Sequence, residues 1–174
     1  SSYNNYIEPF FGGGSVFFNL APEKGIISDI NPRLINLYCM LRDEPKKLFC
    51  ETSKLIEKHS EDQYYKIRKK FNQSEENSSI YFLYLNRTCF NGVYRENQKG
   101  EFNVPIGKRK SNFFPFELND FYKASINLKK TKILCCDYSH ALKEVEKNDF
   151  IYVDPPYIKY EKNYDAFRKY NKDV

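Results

Sequence analysis

The segment Asp154-Pro155-Pro156-Tyr157 carries the sharpest chemistry in this 174-residue chain. Consecutive prolines fix φ and lack N–H donors, so their carbonyls are left free to accept hydrogen bonds. An acid leading into such a rigid turn sets two acceptors close together. A planar amino group on a base has two N–H donors to match them, and Tyr157 can stack on the same base. The bland alternative is a strand-ending turn with an incidental acid.

Three further features invite the same kind of reading. The run Gly12-Gly13-Gly14 follows a short apolar segment. Glycines there permit positive φ and let a ligand approach the backbone closely. They also open a helix, whose N-terminus favours a negative group. A merely tight turn explains them equally well, and the run does not match the phosphate-binding GxxxxGK[ST] pattern. Asp29 stands about fifteen residues further on, where a carboxylate can accept hydrogen bonds from both hydroxyls of a ribose; capping of the helix that starts at Asn31-Pro32 is the alternative. Asp137 and Asp154 also stand at the ends of apolar segments.

The elements that must position these groups alternate in type. Tyr6–Phe10, Gly25–Asp29, Lys132–Asp137 and Asp149–Asp154 read as strands. Ser15–Leu20, Arg33–Leu41, Pro45–His59, Glu61–Phe71, Ser79–Thr88, Glu117–Leu128 and Tyr138–Val145 read as helices, with Asn31 and Pro32 as cap and first-turn proline. Val93–Arg95 and Glu101–Val104 flank a polar turn and predict a β-hairpin. Strands alternating with helices on both sides of an irregular middle predict an α/β fold with a mostly parallel sheet. In such sheets ligands sit at the carboxyl ends of the strands. The glycine run, Asp29, Asp137 and Asp154 are therefore expected on one edge.

Bulk properties narrow the classes. The net charge of +5 admits a polyanionic partner without requiring one. The 15 Tyr and 15 Phe supply core as readily as stacking surfaces, so their density decides nothing. Cys39, Cys50, Cys89, Cys135 and Cys136 form no CxxC pair and have only His59 and His140 beside them, so no metal is expected and reduced thiols in a cytoplasmic protein are the plain reading. No apolar run approaches the roughly 20 residues that span a bilayer, so no membrane association is expected.

Taken in order, these motifs resemble those of the Dam-type DNA adenine-N6 methyltransferases (DpnII/MboI-like), in the group ordered F-x-G-x-G, target-recognition region, DPPY. Glu8-Pro-Phe-Phe-Gly-Gly-Gly-Ser-Val-Phe-Phe is similar to their cofactor motif, with Phe10, Gly12 and Gly14 as F-x-G-x-G. Ser28-Asp-Ile-Asn31 resembles the next motif, which implies Asp29 at the cofactor ribose. Cys136-Asp-Tyr138 resembles the motif whose acid contacts the cofactor adenine, which implies Asp137. Asp154 to Tyr157 matches the catalytic motif. The stretch from Asn86 to Pro105 resembles the family's DNA-reading hairpin, which implies that Phe90, Asn91, Val93, Arg95 and Pro105 face DNA. An Arg suits bidentate contact with guanine and an apolar group suits a thymine methyl. An ordinary hairpin with its Arg in solvent is the alternative.

The resemblance implies a Rossmann-like sheet that binds S-adenosyl-L-methionine, with a helical plus β-hairpin insertion for DNA recognition. It divides the chain into residues 1–44 (cofactor-binding part), 45–116 (target-recognition insertion) and 117–174 (catalytic part with DPPY). The cofactor-binding residues are then Glu8, Phe10, Gly12, Gly13, Gly14, Asp29 and Asp137, and the catalytic ones Asp154, Pro155, Pro156 and Tyr157. Arg87, Lys108, Arg109 and Lys110 are candidates for phosphate contact. The family's upstream Lys- and Gly-containing motif is missing before Ser1 and only a short tail follows Tyr157, so the chain reads as truncated at both ends. The implied reaction is base flipping and direct methyl transfer to adenine N6 in duplex DNA, in GATC, in the cytoplasm of a bacterium or from a phage. Pairing with a restriction endonuclease is compatible with this. The rivals are a cytosine-N4 or RNA-adenine methyltransferase and a catalytically silent DNA-binding module. A glutamine-methylating protein enzyme is disfavoured, because those typically carry Asn before Pro-Pro-Tyr.

Overall fold

The computed structural model describes residues 3–75, 78–108 and 115–156. The chain forms two compact units. Of the described residues, one comprises 3–51 and 115–155, the other 52–75, 78–108 and Pro156.

The first unit holds a four-stranded sheet in the order β3-β2-β1-β4, parallel throughout. Its strands are β1 (Tyr6–Glu8), β2 (Gly25–Asp29), β3 (Thr131–Cys135) and β4 (Phe150–Ile151). They are joined or flanked by α1 (Ser15–Leu20), α2 (Pro32–Asp43), α6 (Leu118–Lys129) and α7 (Tyr138–Ala141). The buried cluster of Tyr6, Phe11, Phe17, Ile27, Tyr38 and Leu128 draws on two strands, three helices and the glycine turn. Phe11 meets Phe17 and Tyr38 edge to face, with ring centroids 5.5 and 4.7 Å apart respectively. Such aromatic pairs add to the area they bury.

Local signals set the helix starts. The Asn31 Oδ1 accepts from the N–H groups of Arg33 and Leu34 at 3.0 and 3.3 Å, with Pro32 in the first turn. Glu117 and Asp120 form a reciprocal capping box on α6.

Three expected strands stop short of their expected carboxyl ends, among them β3, which ends at Cys135 rather than Asp137. β1 stops at Glu8 and β4 spans only Phe150–Ile151, although Tyr152 still donates to the Ile7 carbonyl at 2.9 Å. The next rung of this parallel ladder needs an N–H from residue 9, and Pro9 has none. The expected helix Tyr138–Val145 also changes character: it tightens after Ala141 into a 3₁₀ turn at Leu142–Glu144.

The second unit contains α4 (Glu61–Gln73), α5 (Ser78–Thr88) and the hairpin region, and takes up the end of α3 (Pro45–Glu57), which begins in the first unit. Tyr64, Ile67 and Phe71 recur at helical spacing on α4 and are buried, as are Ile80, Phe82, Tyr84 and Leu85 on α5. The hairpin forms, but its ladder is reduced to isolated antiparallel bridges, Cys89 with Ile106 and Glu96 with Phe102. The turn closes with Gly100 donating to the Asn97 carbonyl at 3.0 Å. The Phe102 N–H and the carbonyls of Phe102 and Val104 on the return arm go to side chains of α4.

Candidate cofactor and DNA sites

Parallel pairing carries the carboxyl ends of all four strands to one edge, and the register fixes which residues meet there. Asp29 pairs with Cys135, and the Cys136 N–H donates to the Asp29 carbonyl at 3.2 Å. Asp137 therefore follows directly beyond the Asp29 rung. Glu8 pairs with Ile27 at the end of β1, and Asp154 lies two residues past the Tyr152–Ile7 hydrogen bond. The structure thus brings Glu8, Phe10, the glycine turn, Asp29, Asp137 and Asp154 to the same edge of the first unit.

The glycine turn is tied down from several directions. Phe11 donates to the Ser28 carbonyl at 2.9 Å, and the Ser28 hydroxyl donates to the Pro9 carbonyl at 3.1 Å. The Gly12 N–H donates to Asp29 Oδ2 at 3.0 Å, while the Tyr38 hydroxyl donates to the Gly12 carbonyl at 2.8 Å. Gly12 and Gly14 have φ of 48° and 63°. A Cβ at Gly12 or Gly13 would meet nothing within 4 Å, so the backbone there faces open space.

Asp29 ties the glycine turn to the start of α2, whose cap is Asn31. Its Oδ1 accepts from the Asn31 N–H at 2.9 Å, and Oδ2 holds Gly12. A carboxylate has about four lone-pair sites, so two remain for a ligand. Asp137 caps α7, accepting from the Ser139 N–H at 2.9 Å. Hydrogen bonding by the Ser139 hydroxyl, and then by its N–H, holds the Asp137 carboxyl below the usual carboxylate range. Phe10 stacks on Tyr138, with ring centroids 5.1 Å apart and planes 27° from parallel.

Glu8 is the anomalous acid. It is 3% exposed, and the Tyr6 hydroxyl donates to its Oε2 at 2.7 Å. Burial pushes its carboxyl above the usual range. The Tyr6 hydrogen bond opposes that shift, and the negative charge of Asp154 adds to it. A raised folded-state value means stability is fully present below the unfolded value and lost as pH rises through the folded one. Glu8→Gln, which keeps an acceptor for Tyr6, is therefore expected to raise the melting temperature at neutral pH. The gain should fade as pH falls into the ordinary carboxylate range. A loss of stability at neutral pH would instead reveal a cationic partner for Glu8.

Asp154, Pro155 and Pro156 are exposed. Tyr157 lies outside the described residues, as do Arg109 and Lys110.

In the second unit, Phe90 is 46% exposed and begins a 3₁₀ turn, Phe90–Gly92, in which Asn91 takes a φ of 54°. Asn91 and Pro105 are exposed, and Val93 and Arg95 half-buried. The Phe90 N–H donates to the Pro105 carbonyl at 2.9 Å, so the two arms meet at the base of the hairpin.

Sequence reasoning missed what fixes this hairpin. Tyr64, Arg68 and Asn72 lie at four-residue intervals on α4. The Tyr64 hydroxyl and Arg68 Nη1 both donate to the Val104 carbonyl, at 2.9 and 3.0 Å. Asn72 accepts from the Phe102 N–H at 2.9 Å and donates to its carbonyl at 3.0 Å. The i, i+4, i+8 spacing of long polar side chains was the available signal, but it resembles an ordinary solvated helix face. Asn72→Ala removes both bonds to Phe102 and is expected to cost about 2–3 kcal/mol, readable as a lower midpoint in urea unfolding.

Among the described residues no group of His, Cys, Asp and Glu could hold a metal ion, and no helix is long and apolar enough to cross a membrane.

The model of the family described as D12 class N6 adenine-specific DNA methyltransferase matches residues 1–173. A DNA adenine methylase of Haemophilus influenzae is 43% identical over 162 residues, covering 88% of this chain and 55% of the relative. The type II methyltransferase M1.LlaDCHI of Lactococcus lactis is 37% identical over 163 residues, covering 90% and 57%. The type II methyltransferase M.MjaIII of Methanocaldococcus jannaschii is 38% identical over 183 residues, covering 96% and 63%. The chain therefore spans little more than half the length of these relatives.

Proposed function

The chain belongs to the D12 class N6 adenine-specific DNA methyltransferase family, and from that premise we propose that it transfers a methyl group to the N6 amino group of adenine in duplex DNA, within GATC. The observation that carries this reading is the convergence of Glu8, Asp29, Asp137 and Asp154 on one edge of a parallel sheet, beside a glycine turn.

The family implies S-adenosyl-L-methionine as methyl donor, and the residues at this edge fit it. The backbone at Gly12 and Gly13 is open to close approach. The unused lone pairs of Asp29 suit ribose hydroxyls, and Asp137 suits an adenine amino group. Phe10 contributes an apolar surface beside Asp137, and Glu8 lies where a cationic group would relieve its burial. When bound, the cofactor supplies an electrophilic methyl group on a sulfonium.

The chain's own residues prepare the acceptor. The target adenine leaves the duplex stack and enters the strand-end site. Asp154 and the Pro155 carbonyl accept its two N6 hydrogens, which localises the lone pair on the nitrogen. Pro156 keeps the turn rigid, and Tyr157 stacks on the base. One N6 proton is lost in the reaction, and Asp154 is the group placed to accept it. Orientation of the two reactants supplies most of the acceleration.

In this reading residues 45–116 form the target-recognition insertion. Phe90, Asn91, Val93, Arg95 and Pro105 meet the DNA, while Arg87 and Lys108 contribute phosphate contacts. Enzyme and substrate share the compartment of the genome, the cytoplasm.

The test is transfer of labelled methyl to two duplexes, one containing GATC and one with the same bases scrambled. N6-methyladenine in the GATC duplex alone is the expected product. Label at cytosine N4, or equal label in both duplexes, would contradict the assignment. Sequence-specific binding with no cofactor affinity would make the chain a silent DNA-binding module.

A further inference from the structure

Arg95 does not project freely from the hairpin. Its Nε donates to Asn103 Oδ1 at 2.8 Å across the two arms, and the Asn103 N–H donates to the Arg95 carbonyl at 3.1 Å. Both residues are half-buried. Asn103 sits between Phe102 and Val104, which are 2% and 3% exposed and are the two residues that α4 holds by their backbones. It is thus the side chain on the most firmly fixed stretch of the hairpin, and Arg95 on the opposite arm is braced against it.

The chemistry of guanidinium gives this brace a consequence. Arginine has five N–H donors in a planar fork. Occupation of Nε by Asn103 excludes side-on recognition through Nε and leaves the terminal nitrogens to meet a ligand end-on. Guanine presents O6 and N7 as two acceptors in the major groove, which an end-on fork matches. Fixing the plane of the fork before binding reduces the rotamer freedom lost on contact.

We propose that Asn103 is the positioning residue for the base-reading arginine, holding the Arg95 guanidinium by Nε so that its terminal fork faces the guanine edge. The inference rests on the reading of Arg95 as a DNA contact given above, and the experiment separates the two.

Affinity of the chain is measured by fluorescence anisotropy for a GATC duplex and for the same duplex carrying 7-deazaguanine, which lacks the N7 acceptor. The unchanged chain should bind the 7-deaza duplex roughly fivefold to a hundredfold more weakly, the range for losing a bidentate base contact. Arg95→Met removes every side-chain donor and should reduce that penalty to near unity, whatever the lost charge does to overall affinity. Asn103→Ala should reduce the penalty at least about threefold in the Arg95 background and leave it unchanged in the Arg95→Met background, the signature of a coupled pair. Asn103→Asp keeps the acceptor and should restore the penalty, whatever its charge does to overall affinity. A persistent penalty in Arg95→Met removes Arg95 from base reading. With that penalty lost, an Asn103→Ala chain that weakens both duplexes equally overturns the positioning role, since it reports only a structural or phosphate-contact part. An unchanged chain that binds both duplexes alike overturns the reading and the inference together.

Discussion

Replacing Asp154 by alanine will reduce methyl transfer by at least about a thousandfold while leaving the affinity for S-adenosyl-L-methionine within a factor of about three. The asymmetry follows from where the groups lie. The glycine turn, Asp29 and Asp137 stand at the ends of β1, β2 and β3, and those are the elements proposed to hold the cofactor. Asp154 follows β4, on the other side of β1, and is exposed. It is proposed to touch only the base. Asp154→Asn keeps an oxygen that can accept one N6 hydrogen but cannot take up the released proton, so it should recover only part of the loss. Single-turnover transfer together with calorimetric titration of the cofactor measures both quantities. Unchanged turnover removes Asp154 from the chemistry. Parallel loss of cofactor affinity moves it into the cofactor site.

Gly14→Ala is expected to destabilise the first unit by about 2–4 kcal/mol, combining the cost of a left-handed residue with overpacking. Gly14 has a φ of 63°, and an added Cβ would stand 2.6 Å from Cζ of Phe11 and 3.0 Å from Cε2 of Phe18. The Phe11 ring, which makes the closer contact, cannot simply step aside. Phe11 is 2% exposed and packs on Phe17 and Tyr38, so relief at Gly14 would disturb the cluster that supports β1 and β2. Gly13→Ala provides the contrast. Its Cβ meets nothing in the protein, so stability should change by less than about 0.5 kcal/mol, whereas the open backbone it obstructs is the one proposed to receive the cofactor. Thermal unfolding of both variants, with and without S-adenosyl-L-methionine, reads the difference. A Gly13→Ala chain stabilised by the cofactor as strongly as the unchanged chain would remove that residue from the binding surface.

The parts of the fold governed by neighbouring residues were legible in the sequence. Asn31-Pro32 announced the start of α2, and Gly25–Asp29 announced β2, because caps and apolar runs act over a few positions. The gathering of Asp29, Asp137 and Asp154 at one edge was legible too, since parallel strands leave no other place for their carboxyl ends. The length of β4 was not, because it depends on a missing N–H at Pro9, well over a hundred residues away. Nor were the hydrogen bonds that Asp29 accepts from the Gly12 and Asn31 N–H groups, which leave lone pairs over for a ligand. The attachment of the hairpin to α4 was hidden for a different reason. Tyr64, Arg68 and Asn72 bind backbone atoms, and a backbone atom leaves no mark in the amino-acid alphabet. Tyr157, the last residue of the proposed catalytic turn, falls outside the described residues.

That last property bears on how such a protein can change. The clasp made by Tyr64, Arg68 and Asn72 grips the Phe102 N–H and the carbonyls of Phe102 and Val104, groups that survive almost any replacement of the side chains. Residues elsewhere on the hairpin can therefore be exchanged without loosening the clasp. Under the proposed reading, a lineage could drift from one recognition sequence to another by altering the reading side chains while the mounting stays constant, much as an interchangeable bit is held by an unchanging chuck.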